Sequence, residues 1–236
     1  MRQLGLRGLV LADAPNFETF WPGPNADACA AVERIAGGER EPATFLHGPA
    51  GAGKTHLLKA AWRAVQERDT RAGYLPLDQA LMLDPSLIEG WGGLDFVALD
   101  AVERVAGFAV WEQALFRLVE ELRERGANLL AASRRPPDGL GLKLPDLASR
   151  LAWGPVYALV PLDDAGLAAL AVHLAGARGL ELPGSVATFL VRRLERKPAV
   201  LAAAVARLDE AALAAQRRLS IPFVRSVLFD TAKDNR

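Results

Sequence analysis

With 236 residues, and 28 Lys plus Arg set against 28 Asp plus Glu, the chain lacks the basic excess of a module devoted to gripping nucleic-acid phosphates. Its length accommodates one medium domain and a smaller one, and its single cysteine, Cys29, rules out an internal disulfide framework or a cysteine-type metal cluster. No basic region followed by an apolar core and a cleavage site stands at the N-terminus, and no apolar run is long enough to span a bilayer, so the expected setting is soluble, reducing and cytoplasmic, with no membrane partner.

The opening residues, MRQLGLRGLVLADAP, place Gln3, Leu4 and Leu6 ahead of a turn-prone stretch at Asp13–Asn16. A flexible peptide of this kind can dock as a linear motif with its leucines as anchors, and an ordinary apolar tail has the same composition. Phe17, Phe20 and Trp21 follow, then the turn-rich Pro22–Asn25, then an alanine-rich helix over Ala26–Ala36 that carries Cys29 as a small apolar residue. Aromatics in this place either line the base of a bound nucleotide, with Phe20, Trp21 and Pro22 the candidates, or anchor the segment on the core.

A short apolar strand over Ala43–Leu46 leads into GPAGAGKTHLL, Gly48–Leu58, and then into apolar residues at helical spacing. Strand, glycine-rich turn and helix are the context a phosphate-binding P-loop requires. Gly48, Pro49, Ala50, Gly51, Ala52 and Gly53 form the wrap around the phosphates, where glycines supply the unusual dihedrals. Lys54 reaches the β- and γ-phosphates, Thr55 offers its hydroxyl to Mg²⁺, and His56 follows in the first helical turn. A nucleotide, ADP or ATP with Mg²⁺, is therefore the expected ligand; binding by itself does not establish hydrolysis.

Further along, Gly73–Leu77 is an expected buried strand, Leu87–Gly93 a short helix and turn, and Leu94–Asp100 a second strand, apolar except at its end. A strand-terminal aspartate downstream of a P-loop occupies the Walker B position, and Asp100 is expected to help hold Mg²⁺. A helix over Phe108–Arg125, a strand over Asn128–Ser133 stopped by Arg134-Arg135-Pro136-Pro137, a short helix over Leu144–Leu151 and a last strand over Pro155–Leu159 complete the alternation. Such alternation predicts an α/β fold with a mostly parallel sheet covered on both faces. Beyond Pro161 only amphipathic helices are expected, over Leu162–Arg178, Gly184–Arg193, Pro198–Arg218 and Ile221–Leu228, with a fraying tail over Asp230–Arg236.

A P-loop sheet domain followed by a small helical lid resembles the AAA+ class of P-loop NTPases. FETFWPGPN, GYLPLD, the strand ending at Asp100, SRRPP, LPDLASRLAWG, the ELP of Glu181–Pro183 and AAQRRLSIPFV resemble, in detail and over nearly the whole chain, the Hda family, regulatory inactivators of the bacterial replication initiator DnaA. DnaA shares the central region but continues into a DNA-binding helical domain. The resemblance implies three parts: residues 1–15 as a flexible peptide, residues 16–160 as the nucleotide-binding domain and residues 161–236 as the lid. It implies that Gln3, Leu4 and Leu6 bind the β subunit of the DNA polymerase III sliding clamp, with DNA reached mainly through the clamp. It makes Arg150 an arginine finger acting on the nucleotide of a neighbouring DnaA, a role suited to a permanently charged, planar fork of donors. Self-assembly into a homo-oligomer is open to such a chain.

The chain departs from the DnaA pattern at three positions. Ala101 follows Asp100 where a second acid would orient attacking water, with Glu103 one turn away. Arg134 follows Ser133 where an acidic sensor is usual, and Ala199 stands where a lid arginine is expected, with Arg196 and Lys197 offset. These departures imply weak or absent hydrolysis in the chain's own site and a nucleotide kept as a structural or regulatory ligand. The competing readings are a small P-loop kinase, a clamp–DnaA adaptor without a catalytic finger, and a loader-type subunit working in a ring.

Overall fold

The computed structural model describes residues 15–41, 43–80 and 82–230; the Gln3, Leu4 and Leu6 peptide and the tail beyond Asp230 lie outside the described residues. Among them the chain alternates α1 (Ala26–Ala36), β1 (Thr44–His47), α2 (Lys54–Glu67), β2 (Ala72–Pro76), the four-residue α3 (Leu77–Ala80), β3 (Phe96–Asp100), α4 (Ala109–Arg125), β4 (Asn128–Ser133), α5 (Pro145–Leu151) and β5 (Val156–Ala158). Four helices follow, α6 (Asp164–Ala177), α7 (Gly184–Arg193), α8 (Pro198–Ala215) and α9 (Ile221–Leu228). The fold is α/β and AAA+-like, a parallel sheet flanked by helices with a small C-terminal helical lid. No helix among the described residues is long and apolar enough to cross a membrane.

The five strands run in the order β2-β3-β4-β1-β5, and every pairing is parallel. Period-two alternation divides their side chains between two cores. Phe45, Val97, Leu99, Leu129 and Ala131 join Leu115, Leu118 and Leu122 of α4 and Leu147 and Leu151 of α5 in one cluster. Leu46, Phe96, Ala98, Leu130 and Ala132 join Val32 and Ile35 of α1 and Leu57, Leu58 and Ala61 of α2 in the other. Both faces are covered, which is why the central strands are apolar runs rather than alternating ones.

Several expected boundaries shift for identifiable reasons. The short helix and turn expected over Leu87–Gly93 are two 3₁₀ turns, Pro85–Ile88 and Trp91–Gly93, with Gly90 between them in the left-handed region at φ 82°. Helix α8 stops at Ala215 rather than Arg218: Gln216 turns left-handed at φ 50°, Arg217 N–H returns to Ala212 O at 3.1 Å, and Leu219 is buried beyond the turn.

The chain divides into two compact units. One holds the sheet, Asn25–Val160, with the described residues up to Phe20; the other holds Pro161 onward with Trp21–Pro24. The helical unit has its own core, in which Leu170, Leu174, Leu190, Leu208 and Val224 meet.

One buried carboxylate fixes where α5 starts. Glu112, in the first turn of α4 and 1% exposed, accepts a hydrogen bond from Gly107 N–H at 2.8 Å and another from Leu144 N–H at 2.7 Å. It thereby pins both the entry to α4 and the residue that precedes α5. Glu112→Ala is expected to leave both amides without their acceptor and to cost about 1–3 kcal/mol, read as a lower urea midpoint; an unchanged midpoint would exclude the tie.

Candidate functional site

In a parallel sheet all strands end at the same edge, so the loops after β1, β3 and β4 gather there. The loop after β1 is the P-loop. Gly48 passes so close to Leu159 O that a Cβ would collide with it, and Gly53, at φ 97°, sits under the Phe20 ring, with room for a Cβ only 2.8 Å from Cε2. Nothing lies within 4 Å on the open side of Gly51, leaving space beside the loop.

Gly53 precedes α2 with no side-chain cap, so the first N–H groups of the helix have no intrahelical partner and point outward with the positive end of the helix dipole. Lys54 Nζ donates to Gly48 O at 2.6 Å and to Pro49 O at 2.8 Å, which draws the ammonium across the loop. Burial lowers its pKa, the charges of Glu103 and Asp100 raise it, and Arg134 lowers it again. The open loop, the uncapped helix start and the ammonium together fit a polyphosphate. Pro49, Ala50 and Thr55 are exposed beside it, whereas Gly48 and Ala52 are buried.

Asp100 ends β3 and is 8% exposed. One oxygen accepts from Tyr74 Oη at 3.1 Å and the other from Ala101 N–H at 2.9 Å. Burial, then the Asp100 charge, raises the Tyr74 pKa, so the phenol stays a donor. No group of three or more acidic, histidine or cysteine side chains able to hold a metal occurs among the described residues. Thr55 and Asp100 alone make a sparse set, which suits Mg²⁺ arriving with phosphate and water ligands rather than a protein cage.

Ala101 takes the left-handed conformation at φ 58° and begins a 3₁₀ turn, Val102–Val105. That turn brings Glu103 to Arg134: Arg134 N–H donates to one carboxylate oxygen at 3.3 Å, and Nε lies 3.6 Å from the other. Ser133, buried and paired in register with His47 at the root of the P-loop, exchanges hydrogen bonds with the backbone of Arg135. Glu103 is thus engaged by Arg134.

The aromatic segment divides. Phe20 is buried over Gly53 and tilts against His56 at 5.4 Å. Trp21 and Pro22 fall in the helical unit, where Trp21 packs on His173 at 5.4 Å. His56 is occupied locally, its Nε2 2.8 Å from Asn16 O and 3.4 Å from Thr19 Oγ1.

Arg150 lies on α5, 30% exposed, with Nε 2.7 Å from Glu120 Oε1 of α4 and its guanidinium 4.3 Å from the Trp153 ring centroid. The residues that sequence reasoning missed are Tyr74, Glu112, Glu120 and Trp153. Trp153 alone had a local signal, three residues after Arg150.

Two protein-family models match the chain: the Hda lid domain over residues 163–228 and the bacterial DnaA ATPase domain over residues 11–83. Domain III of the replication initiation protein DnaA from Thermotoga maritima is similar at 27% identity and a TM-score of 0.73, covering 92% of this chain and 97% of that one. AMPPCP-bound DnaA from Aquifex aeolicus matches at 25% identity and a TM-score of 0.66, over 78% of this chain and 61% of that longer one. The chain thus joins a segment matching the bacterial DnaA ATPase domain to one matching the Hda lid domain. A replication initiator DnaA bound to AMPPCP and single-stranded DNA, 23% identical with a TM-score of 0.70 over 86% of this chain and 68% of that one, adds support for the fold. The chain therefore has the architecture of a nucleotide-binding, DnaA-related AAA+ protein of DNA replication with an Hda-type lid.

Burial holds the His56 pKa below its ordinary value of 6.5, and the Asn16 carbonyl opposes the shift only in part. The folded state therefore favours neutral imidazole: its contribution is complete above the unfolded pKa and is lost as pH falls through the folded one. Stability is expected to decline below about pH 6.5, with a shallower decline in His56→Gln; equal slopes in urea titrations across that window would contradict the assignment.

Proposed function

We propose that this protein acts in the cytoplasm as a negative regulator of replication initiation, tethered to the DNA-loaded sliding clamp by residues 1–15. In this reading Gln3, Leu4 and Leu6 enter pockets on the clamp, the domain over residues 16–160 and the lid over 161–236 dock on ATP-bound DnaA, and Arg150 promotes hydrolysis of the DnaA-bound ATP. The partner is left in its ADP form.

The observation that carries the reading is the position of Arg150. It is presented on a short helix whose Leu147 and Leu151 are buried against α4, and its contacts among the described residues are with Glu120 and Trp153 rather than with the P-loop. A guanidinium held there is available to a neighbouring molecule, where it would stabilise charge developing on the γ-phosphate.

The protein's own P-loop would hold ADP or ATP with Mg²⁺ as a regulatory ligand, through the α2 N-terminus, Lys54 and Thr55, with Asp100 beneath the metal. Bound Mg²⁺ would neutralise phosphate charge. Ala101 offers no group to orient water, and Glu103 is engaged by Arg134, which supports weak or absent turnover in this site.

Arg150→Ala is expected to slow clamp- and DNA-dependent hydrolysis of DnaA-bound ATP by about 10³-fold, measured as the ADP fraction on DnaA with time. A normal rate in that variant would favour the adaptor reading, in which the chain only bridges DnaA and clamp. The triple variant Gln3→Ala, Leu4→Ala, Leu6→Ala is expected to lose stimulation by DNA-loaded clamp in the same assay and to lose retention on clamp-loaded DNA; unchanged stimulation would exclude the tether.

A further inference from the structure

Arg150 does not stand alone. Glu120 lies on α4 between two arginines, with Oε1 2.7 Å from Arg150 Nε and Oε2 3.4 Å from Arg123 Nη2. The Trp153 ring lies under both guanidinium groups, its centroid 4.3 Å from that of Arg150 and 4.6 Å from that of Arg123. Two cations, one carboxylate and one indole thus form a compact cluster.

The backbone holds the cluster's parts in place. Trp153 N–H turns back to Arg150 O at 3.3 Å and Ala152 N–H to Ala148 O at 3.1 Å, closing the end of α5 directly onto the tryptophan. Gly154 then passes so close to Ala43 O that a side chain could not be admitted. The chain is therefore held close to Ala43 one residue after Trp153, whose side chain remains 45% exposed.

The carboxylate meets Arg150 through Nε, the inner nitrogen, and not through the outer fork. Neither Nε nor Oε1 has an aligned hydrogen-bond partner, so the contact is one of charge and packing. Stacking on the indole restrains the plane of the guanidinium, and the Nε contact restrains its rotation about the side-chain axis. Neither Nη is engaged by Glu120 in a hydrogen bond, and the Nη edge is the one that, end-on, presents two parallel N–H groups to phosphate oxygens.

We propose that Glu120 and Trp153 are positioning residues for Arg150, holding its guanidinium so that the Nη edge is preset for the terminal phosphate of a nucleotide carried by another protein molecule. The proposal rests on the finger reading given above. Without the cluster, an arginine with free rotamers must be ordered at each encounter, and the cost falls on the rate of the chemical step rather than on docking.

The test measures hydrolysis of DnaA-bound ATP against concentration of the full-length protein with clamp loaded on DNA, separating the maximal rate from the half-stimulating concentration. Glu120→Ala and Trp153→Ala are each expected to lower the maximal rate on the order of ten- to a hundredfold, with the half-stimulating concentration and the thermal midpoint within experimental error of the unsubstituted protein. Trp153→Phe, which keeps an aromatic face, is expected to recover most of the rate, and combining Glu120→Ala with Arg150→Ala is expected to add no loss beyond that of Arg150→Ala alone. If Arg150→Ala abolishes stimulation while Glu120→Ala and Trp153→Ala keep the full maximal rate, the positioning role is wrong and the finger stands. If those two variants raise only the half-stimulating concentration, the cluster is a docking surface and the proposal fails. If Arg150→Ala itself leaves the rate unchanged, the finger reading fails and this proposal fails with it.

Discussion

The uncapped start of α2 is the constraint on which the site depends. A helix that begins with a left-handed glycine and no side-chain cap leaves a cluster of N–H groups without internal acceptors, and such an end requires either solvent or an anion. The parallel sheet places that end beside the termini of β3 and β4, so Asp100 and Ser133 arrive at the same edge without any long loop being ordered. Lys54 bonding to the carbonyls of Gly48 and Pro49 satisfies part of the loop from within. Charge on this edge is nearly balanced by its own residues, Lys54 and Arg134 against Asp100 and Glu103, consistent with a ligand whose phosphate charge is accompanied by a cation.

The arrangement beyond β3 turns on Ala101. Its left-handed conformation carries a cost on the order of 1 kcal/mol or more for a residue with a Cβ, and it falls directly after Asp100 at the end of β3. The turn that follows redirects the chain and delivers Glu103 to Arg134. The Glu103 carboxylate is thus engaged by Arg134. Two residues that look unrelated along the chain form one interaction in space.

The features most legible in the sequence are those whose signal is local. Strand β4 and helices α7 and α9 occur at the expected residues, because an apolar run stopped by prolines, or an amphipathic stretch between turns, is complete within ten residues or so. The same holds for the P-loop, where spacing alone sets glycine, lysine and threonine around a helix start. Glu112, Tyr74 and Glu120 were not legible, and for one reason. Each finds its partner 26 to 32 residues away, at Leu144, Asp100 and Arg150, and a glutamate at helical spacing among arginines is indistinguishable in sequence from a solvated face. Trp21 illustrates the converse case: its proximity in sequence to Phe20 suggested a shared role, yet the chain passes from one unit to the other between them.

Arg150 joins these two kinds of information. Its surroundings in sequence, LPDLASRLAWG, resemble those of the Hda family, while the carboxylate and indole that contact it become apparent only once α4 and α5 are packed together. Glu112 sets the entrance of α5, Leu147 and Leu151 bury one side of that short helix, and Glu120 and Trp153 restrain the guanidinium on its edge. A seven-residue helix has little stability of its own, so the precision of the arginine derives from the sheet unit's core. The P-loop and Arg150 therefore draw on a single folded scaffold for different tasks. One end of it fits a polyphosphate, and a separate helix carries a cation in contact with a carboxylate and an indole.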